Sequence, residues 1–521
     1  MTDTHAETSA PWTRRFLWLI AGVVAFRVAF LFLATDFQLA GDEVYYWDWG
    51  RRPDWGYYSK PPLIGWLMGL IGWVSGDSWH AVRLTSILFG TITLSLMFLL
   101  GRRLFDARTG FFAALLFLLT PANAALNNAM TIDAPLMLCW TLALLLFWQA
   151  VQKPQSWGTW LGLMLVIGTG TLAKQMMLVF PALMILFLAV SVEQRVLLKR
   201  PALWLCVLGG LSFLTPTLLW NQKHGWITLK HTSEHFQSET HGFGDWISGV
   251  VSFPLMQAAF YSPITWILLI AVLIGCAKRW RGLSLSERFL WMFSAPGLII
   301  VTGMALRQHV NENWPAVFYL SAFVLLPGLA FQSAKLSRWF PRALWVGGAM
   351  AALLYVMIPT ISLAGLRGHK TFDPLRDMRG WREAGPLVGE YFAKVPRPEQ
   401  TFVLVVNHRH NASQMAYWMP QHPRVYRWNK AGAIESQYEI WPNAADKIGS
   451  DAFIIDPLDE GNGYENGIVS AYVTGSFGKV ERLGRVDVDI GNGYKRAFQL
   501  WLGTNMKRWP NDEKTFPDRN P

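Results

Sequence analysis

Long apolar runs recur along this chain from Phe16 to about Ile361, and no other feature constrains its fold as strongly. A helix needs about 20 consecutive apolar residues to cross the hydrocarbon core of a bilayer. Backbone polar groups inside that core must be satisfied within the protein, so runs of this length are read as spanning helices. Candidate spans lie at about 16–35, 79–100, 110–127, 134–151, 158–172, 176–192, 202–219, 255–277, 288–305, 315–332 and 342–363, which makes about eleven. The apolar stretch Leu63–Val74 is shorter and is expected to lie at the interface or to re-enter. Charge agrees with this class: Asp, Glu, Lys and Arg make up 16% of the chain, against about 25% in soluble domains. Cys139, Cys206 and Cys276 all sit inside apolar runs and read as small core residues, with no disulfide framework or metal cluster. Arg14-Arg15 before an apolar run is how a signal peptide begins, but the run from Phe16 to about Ala34 is longer than such a segment needs, so it reads as a retained first helix.

Charge then orients the spans. With the N-terminus in the cytoplasm, the cytoplasmic connections carry Arg102, Arg103, Arg108, Lys153, Arg195, Lys199, Arg200, Lys278, Arg279, Arg281, Arg288, Lys335, Arg338 and Arg342. The opposite connections are longer yet poorer in Lys and Arg, as the positive-inside rule requires. The net charge of +11 therefore belongs to cytoplasmic loops and gives no reason to invoke nucleic acid. The expected organisation is a cytoplasmic N-terminus at 1–15, a transmembrane domain at 16–365 with a first outer loop at 36–78, and a periplasmic domain at 366–521. In that last region apolar and polar residues alternate around Thr401–Val406 and again near Phe453–Ile455, with Gly, Pro and Asn between, so it reads as a small soluble mixed α/β domain. No internal repeat is evident, which argues against inverted-repeat transporters.

The chemistry-bearing residues fall on the outer side. Gly41-Asp42-Glu43 follows the first apolar run directly. Carboxylates beside a bilayer are costly, so they mark a functional site by default. Asp42 fits a general base, a cation ligand or a helix cap, and Glu43 is open between a direct role and a supporting one. Tyr45, Tyr57 and Tyr58 stand in a loop crowded with tryptophans, which reads as an interfacial aromatic belt or as a platform for sugar rings. Lys60 precedes Pro61-Pro62, which stiffen the backbone beneath it; it either meets a lipid phosphate or snorkels. Asp133 and Lys174 also sit at span ends, Asp133 as a functional acid or a cap and Lys174 as a second phosphate contact. In Arg307-Gln308-His309-Val310-Asn311-Glu312-Asn313, Arg307 or His309 suits a phosphate and Asn313 a substrate hydroxyl. His231, Glu234 and His235 have a spacing that metal sites use, but no third ligand of matching type accompanies them.

Taken together, these segments resemble the GT-C superfamily of integral-membrane glycosyltransferases. The closest likeness is to the bacterial family-39 type, akin to protein O-mannosyltransferases and lipid A aminoarabinose transferases. The resemblance rests on Asp42-Glu43 with Tyr45-Tyr46-Trp47, Trp55-Gly56-Tyr57, Lys60-Pro61-Pro62, Thr131-Ile132-Asp133-Ala134-Pro135, Leu172-Ala173-Lys174, Trp220-Asn221, Asn313-Trp314-Pro315 and Gly380-Trp381-Arg382, in that order over nearly the whole chain. It implies a polytopic helical membrane enzyme that moves a sugar from a polyprenyl-phosphate donor to a lipid, glycan or protein acceptor on the outer face of the bacterial inner membrane; a monomer is expected. It also implies Asp42 as the base, Asp133 as a second acid, and Lys60 and Lys174 at the donor phosphate. One position departs: aminoarabinose transferases have Glu before Lys-Pro-Pro, on which their metal site depends, and here that residue is Ser59. No cofactor is certain, and nothing in the sequence supports a divalent metal. A membrane transporter and an oligosaccharide ligase are the competing readings.

Overall fold

The computed structural model describes residues 3–234, 243–308, 310–429, 434–442, 444–458 and 471–509. The chain divides into two compact units: Met1–Ala34 with Lys60–Ile64 and His80–Val356, and Thr35–Ser59 with Gly65–Trp79 and Met357–Pro521.

The first unit is helical. Among the described residues, six helices are long and apolar enough to cross a membrane, or seven if one sharply bent pair counts as a span. The other apolar segments form helices of 10–17 residues. The breaks have local causes. The expected span at 110–127 stops at Leu118 and restarts as a short helix at Pro121, where the Thr120 hydroxyl accepts from Asn123 N and proline takes the first turn. The expected span at 255–277 is bent by 107° between Gly249–Tyr261 and Pro263–Lys278. The hinge is Ser262, which adopts φ 64° and caps the second helix through its hydroxyl before Pro263. The core is strongly aromatic: Trp140, fully buried, meets Phe180 edge-on at 5.0 Å and Phe318 at 5.3 Å. Large apolar side chains such as Trp18, Trp345 and Leu353 stay exposed, as lipid-facing positions do.

The second unit carries a five-stranded sheet among the described residues, with strands β1 (Phe402–Val406), β2 (Val425–Trp428), β3 (Ala452–Leu458), β4 (Phe477–Gly491) and β5 (Tyr494–Met506) in the order β2-β1-β3-β5-β4. β1 pairs parallel with β2 and β3, while β5 runs antiparallel to β3 and β4. All five residues of β1 are buried, so the alternation expected around Thr401–Val406 is in fact a core strand covered on both faces. The helices Trp381–Ala393 and Arg409–Trp418 belong to the same unit. So does the segment after the first apolar helix, whose Gly41–Gly50 helix packs closely on the helix continuing from Gly65. At Gly50 a side chain is excluded, because a Cβ there would lie 2.3 Å from the backbone nitrogen of Gly69.

Candidate active site

The two units each hold a polar cluster. In the helical unit, Asp133 opens the helix Asp133–Gln152, where a carboxylate favours the positive end of the helix dipole. Lys174 stands in extended conformation at the break after the helix Trp157–Ala173, so its side chain leaves the helix axis. Its Nζ donates to Asp133 Oδ1 at 2.8 Å, and Asn313 Nδ2 donates to Asp133 Oδ2 at 2.7 Å. Asp133 is 4% exposed and Lys174 9%. Two sequence-predicted residues from distant segments thus converge on the carboxylate of a third. Arg307 is exposed, Lys60 is partly buried, and His309 and His235 lie outside the described residues. A second polar group was not anticipated. Arg27, buried in the first apolar helix, donates to Asn127 Oδ1 at 2.7 Å and to Asn123 Oδ1 at 2.5 Å. An arginine within an apolar run was the available signal, because such residues face the interior and carry function.

In the second unit, the acids at the start of the Gly41–Gly50 helix part company. Glu43 is buried and turns back, its Oε2 accepting from Ala40 N at 2.9 Å. That is half of a capping box, since Ala40 has no side-chain acceptor to complete it. The cap expected as an alternative for Asp42 is thus supplied by its neighbour. Asp42 keeps 53% of its side chain exposed and pairs with His410, Nε2 to Oδ1 at 3.1 Å. His410 was not anticipated either; the signal was His408-Arg409-His410, a basic run directly after a buried strand.

The tyrosines of the loop are buried. Tyr57 stacks on Trp49 at 4.4 Å, and its hydroxyl donates to Trp49 O. The Tyr45 hydroxyl accepts from Gln437 N at 2.6 Å, and Tyr58 N donates to Gln437 Oε1 at 2.7 Å. Burial holds the Tyr45 hydroxyl protonated, well above the usual phenol range. These rings scaffold the loop. Asp48, fully buried, accepts from the Tyr438 hydroxyl at 2.8 Å and faces Arg51 and Arg52. The motif Gly380-Trp381-Arg382 grips Gln38, whose Oε1 accepts from Trp381 N at 2.7 Å and Arg382 N at 2.9 Å. His408 caps the helix Arg409–Trp418; its ring is partly exposed, yet partial desolvation and then the positive charges of its neighbours push its imidazole down to about 4. Among the described residues no group of three or more His, Cys, Asp or Glu is placed to hold a metal ion.

Residues 59–220 match the family model described as dolichyl-phosphate-mannose-protein mannosyltransferase. The lipid A galacturonosyltransferase RgtD of Rhizobium johnstonii is 25% identical over 432 residues, 82% of this chain and 87% of that protein. An undecaprenyl phosphate-α-4-amino-4-deoxy-L-arabinose arabinosyl transferase of Pseudomonas aeruginosa is 28% identical over 329 residues, 61% of this chain but only 51% of its own length. The crystal structure of ArnT from Cupriavidus metallidurans in the apo state shares the fold, with a TM-score of 0.55 at 15% identity over 94% of this chain and 98% of that one. The chain is therefore an integral-membrane glycosyltransferase of the GT-C fold. Over residues 59–220 it resembles the protein mannosyltransferase family, as the segments around Lys60 and Asp133 had indicated.

Proposed function

We propose that this enzyme transfers a sugar from a polyprenyl phosphate to a lipid A-type glycolipid at the periplasmic face of the bacterial inner membrane, with Asp42 as general base. The named activities of the relatives support the donor and the acceptor. Galacturonate is favoured over aminoarabinose as the sugar. The galacturonosyltransferase aligns over 87% of its length and the arabinosyl transferase over about half, and Ser59 stands where the latter group has Glu.

The reaction is a single displacement. The acceptor hydroxyl attacks the anomeric carbon, the new C–O bond forms, and the bond from that carbon to the phosphate oxygen breaks. Polyprenyl phosphate leaves with the bonding electrons, the hydroxyl proton passes to Asp42, and the anomeric configuration inverts. Lys60, Lys174, Arg307 and His309 would meet the departing phosphate, whose developing charge benefits from fixed cations. Lys174 has three N–H donors. One goes to Asp133, and the others would go to phosphate. About eleven spans from a cytoplasmic N-terminus would place the sheet-bearing region outside the cytoplasm; a reporter at Pro521 active only in the cytoplasm would refute this.

The observation carrying the assignment is the contrast between the adjacent acids, with Glu43 buried in a backbone cap and Asp42 half-exposed. The test is Asp42→Asn, nearly isosteric, assayed in membranes with polyprenyl-phosphate galacturonate and lipid A. Loss of a general base lowers turnover by about 10²–10⁴-fold. Retention of most of the turnover would remove Asp42 from the chemistry.

A further inference from the structure

A carboxylate that is to take a proton from a particular hydroxyl must be held in one orientation. We propose that His410 is the positioning residue of the base: its imidazole fixes the Asp42 carboxylate in the orientation that accepts the acceptor's proton. This rests on Asp42 being the base, as proposed above.

Three features of the second unit carry the proposal. The contact itself is polar and directed. A carboxylate can only accept, so the hydrogen lies on His410 Nε2, 3.1 Å from Asp42 Oδ1, and the tautomer is set by the pair.

The imidazole is also seated. Gly41 leaves room for it, because a Cβ at that position would come within 2.4 Å of the His410 ring carbon Cγ and of Nδ1. The residue before the base thus lacks a side chain where the ring lies. The edge of His408 packs on the His410 ring at 4.5 Å and 85°, and the ring of Tyr45 stands at 6.4 Å.

The helix that carries His410 is fixed to the same segment a second time. Gln414 lies four residues on and therefore on the same helix face. It is buried, its Nε2 donates to Leu39 O at 3.0 Å, and its Oε1 accepts from Trp418 Nε1 at 2.8 Å. One face of this helix thus grips residues on both sides of Gly41. The contact is not sealed from substrate either. Gly41 and His410 border a cavity of about 350 Å³ that also has Asn407, Asn411 and Lys495 in its wall.

The alternative is that His410 merely ties the loop to the sheet-bearing region. Four purified full-length variants separate the two: His410→Ala, His410→Gln, Asp42→Asn and the Asp42→Asn/His410→Ala double. Glutamine places an N–H donor near the position of Nε2. Displacing a reacting group by about 1 Å can cost on the order of 10²-fold, so His410→Ala should lower kcat by about ten- to a hundredfold. KM for the polyprenyl-phosphate sugar should stay close to wild type. His410→Gln should recover most of kcat. In the Asp42→Asn background the His410→Ala change should cost nothing further, since the two act as one device.

If Asp42→Asn is inactive while His410→Ala turns over normally, the positioning role is wrong and the base assignment stands. If Asp42→Asn retains turnover, the base assignment itself has failed. If His410→Ala lowers activity only in proportion to lost folded protein, and His410→Gln does not restore it, the contact is structural and the proposal is overturned.

Discussion

Removing either member of the Asp133–Lys174 pair should destabilise the helical unit far more than removing both. At 2.8 Å, and with an effective dielectric near 20, the attraction between these charges is about 6 kcal/mol. Taking each ion out of water costs several kcal/mol after relaxation. The intact pair is therefore close to neutral against an apolar replacement, with Asn313 supplying a further donor to the carboxylate. Lys174→Met leaves the carboxylate buried without its cation, and Asp133→Leu leaves the ammonium buried without its anion. Each should cost about 3–5 kcal/mol, the usual loss when half of a buried pair is removed. The double Asp133→Leu/Lys174→Met variant should regain most of that stability. The assay is thermal unfolding in detergent or nanodiscs beside transfer activity on the same preparations. Two outcomes would refute the reasoning: single variants that melt with the wild type, or a double variant that melts as low as the summed losses predict. Activity separates packing from chemistry. If Lys174 also meets the donor phosphate, the double variant is stable and inactive.

Two further outcomes are expected in the second unit. Arg379, 4% exposed, bridges Asp36 and Asp373 at 2.8 Å each, so Arg379→Ala should cost about 3–5 kcal/mol; an unchanged melting profile for this unit would show the bridge to be dispensable. His408 should make the same unit acid-sensitive. An unfolded imidazole takes up a proton near 6.5, while the folded one resists until about 4. Between those values the unfolded state binds more protons, so stability falls as pH is lowered through that window. Melting at pH 7 and at pH 5 should differ more for the wild type than for His408→Asn, and equal differences would count against it.

The sequence disclosed the class and pointed to Asp42 for different physical reasons. Spanning runs are legible because hydropathy needs no knowledge of partners. Their interruptions are less so, since a window averages across Thr120-Pro121 and Ser262-Pro263 although each break is made by one cap and one proline. Asp42 stood out because a carboxylate beside an apolar helix is costly. Which of Asp42 and Glu43 would cap was not legible, because that depends on how the chain enters the helix at Ala40. Tyr45, Tyr57 and Tyr58 show the limit of composition: an aromatic loop reads alike whether its rings face sugar, lipid or one another. Here Gln437, almost four hundred residues further on, draws Tyr45 and Tyr58 inward. His410 was out of reach for the same reason, standing 368 residues from the carboxylate it meets.

These long-range contacts bear on how the site works. The loop after the first apolar helix holds the acid, but its own turns do not determine where that acid points. Gln38 is gripped by Trp381 and Arg382, Leu39 by Gln414, Asp42 by His410, Tyr45 by Gln437 and Asp48 by Tyr438. Nearly every turn from 38 to 48 is thus fixed by the C-terminal half of its own unit. A loop tied at so many points loses the conformational freedom that would otherwise blur the carboxylate's position. With Asp42 as the proposed base, the sheet-bearing region would act on the chemistry through geometry. Changes in the Arg409–Trp418 helix should register in turnover at Asp42 even where they touch no substrate.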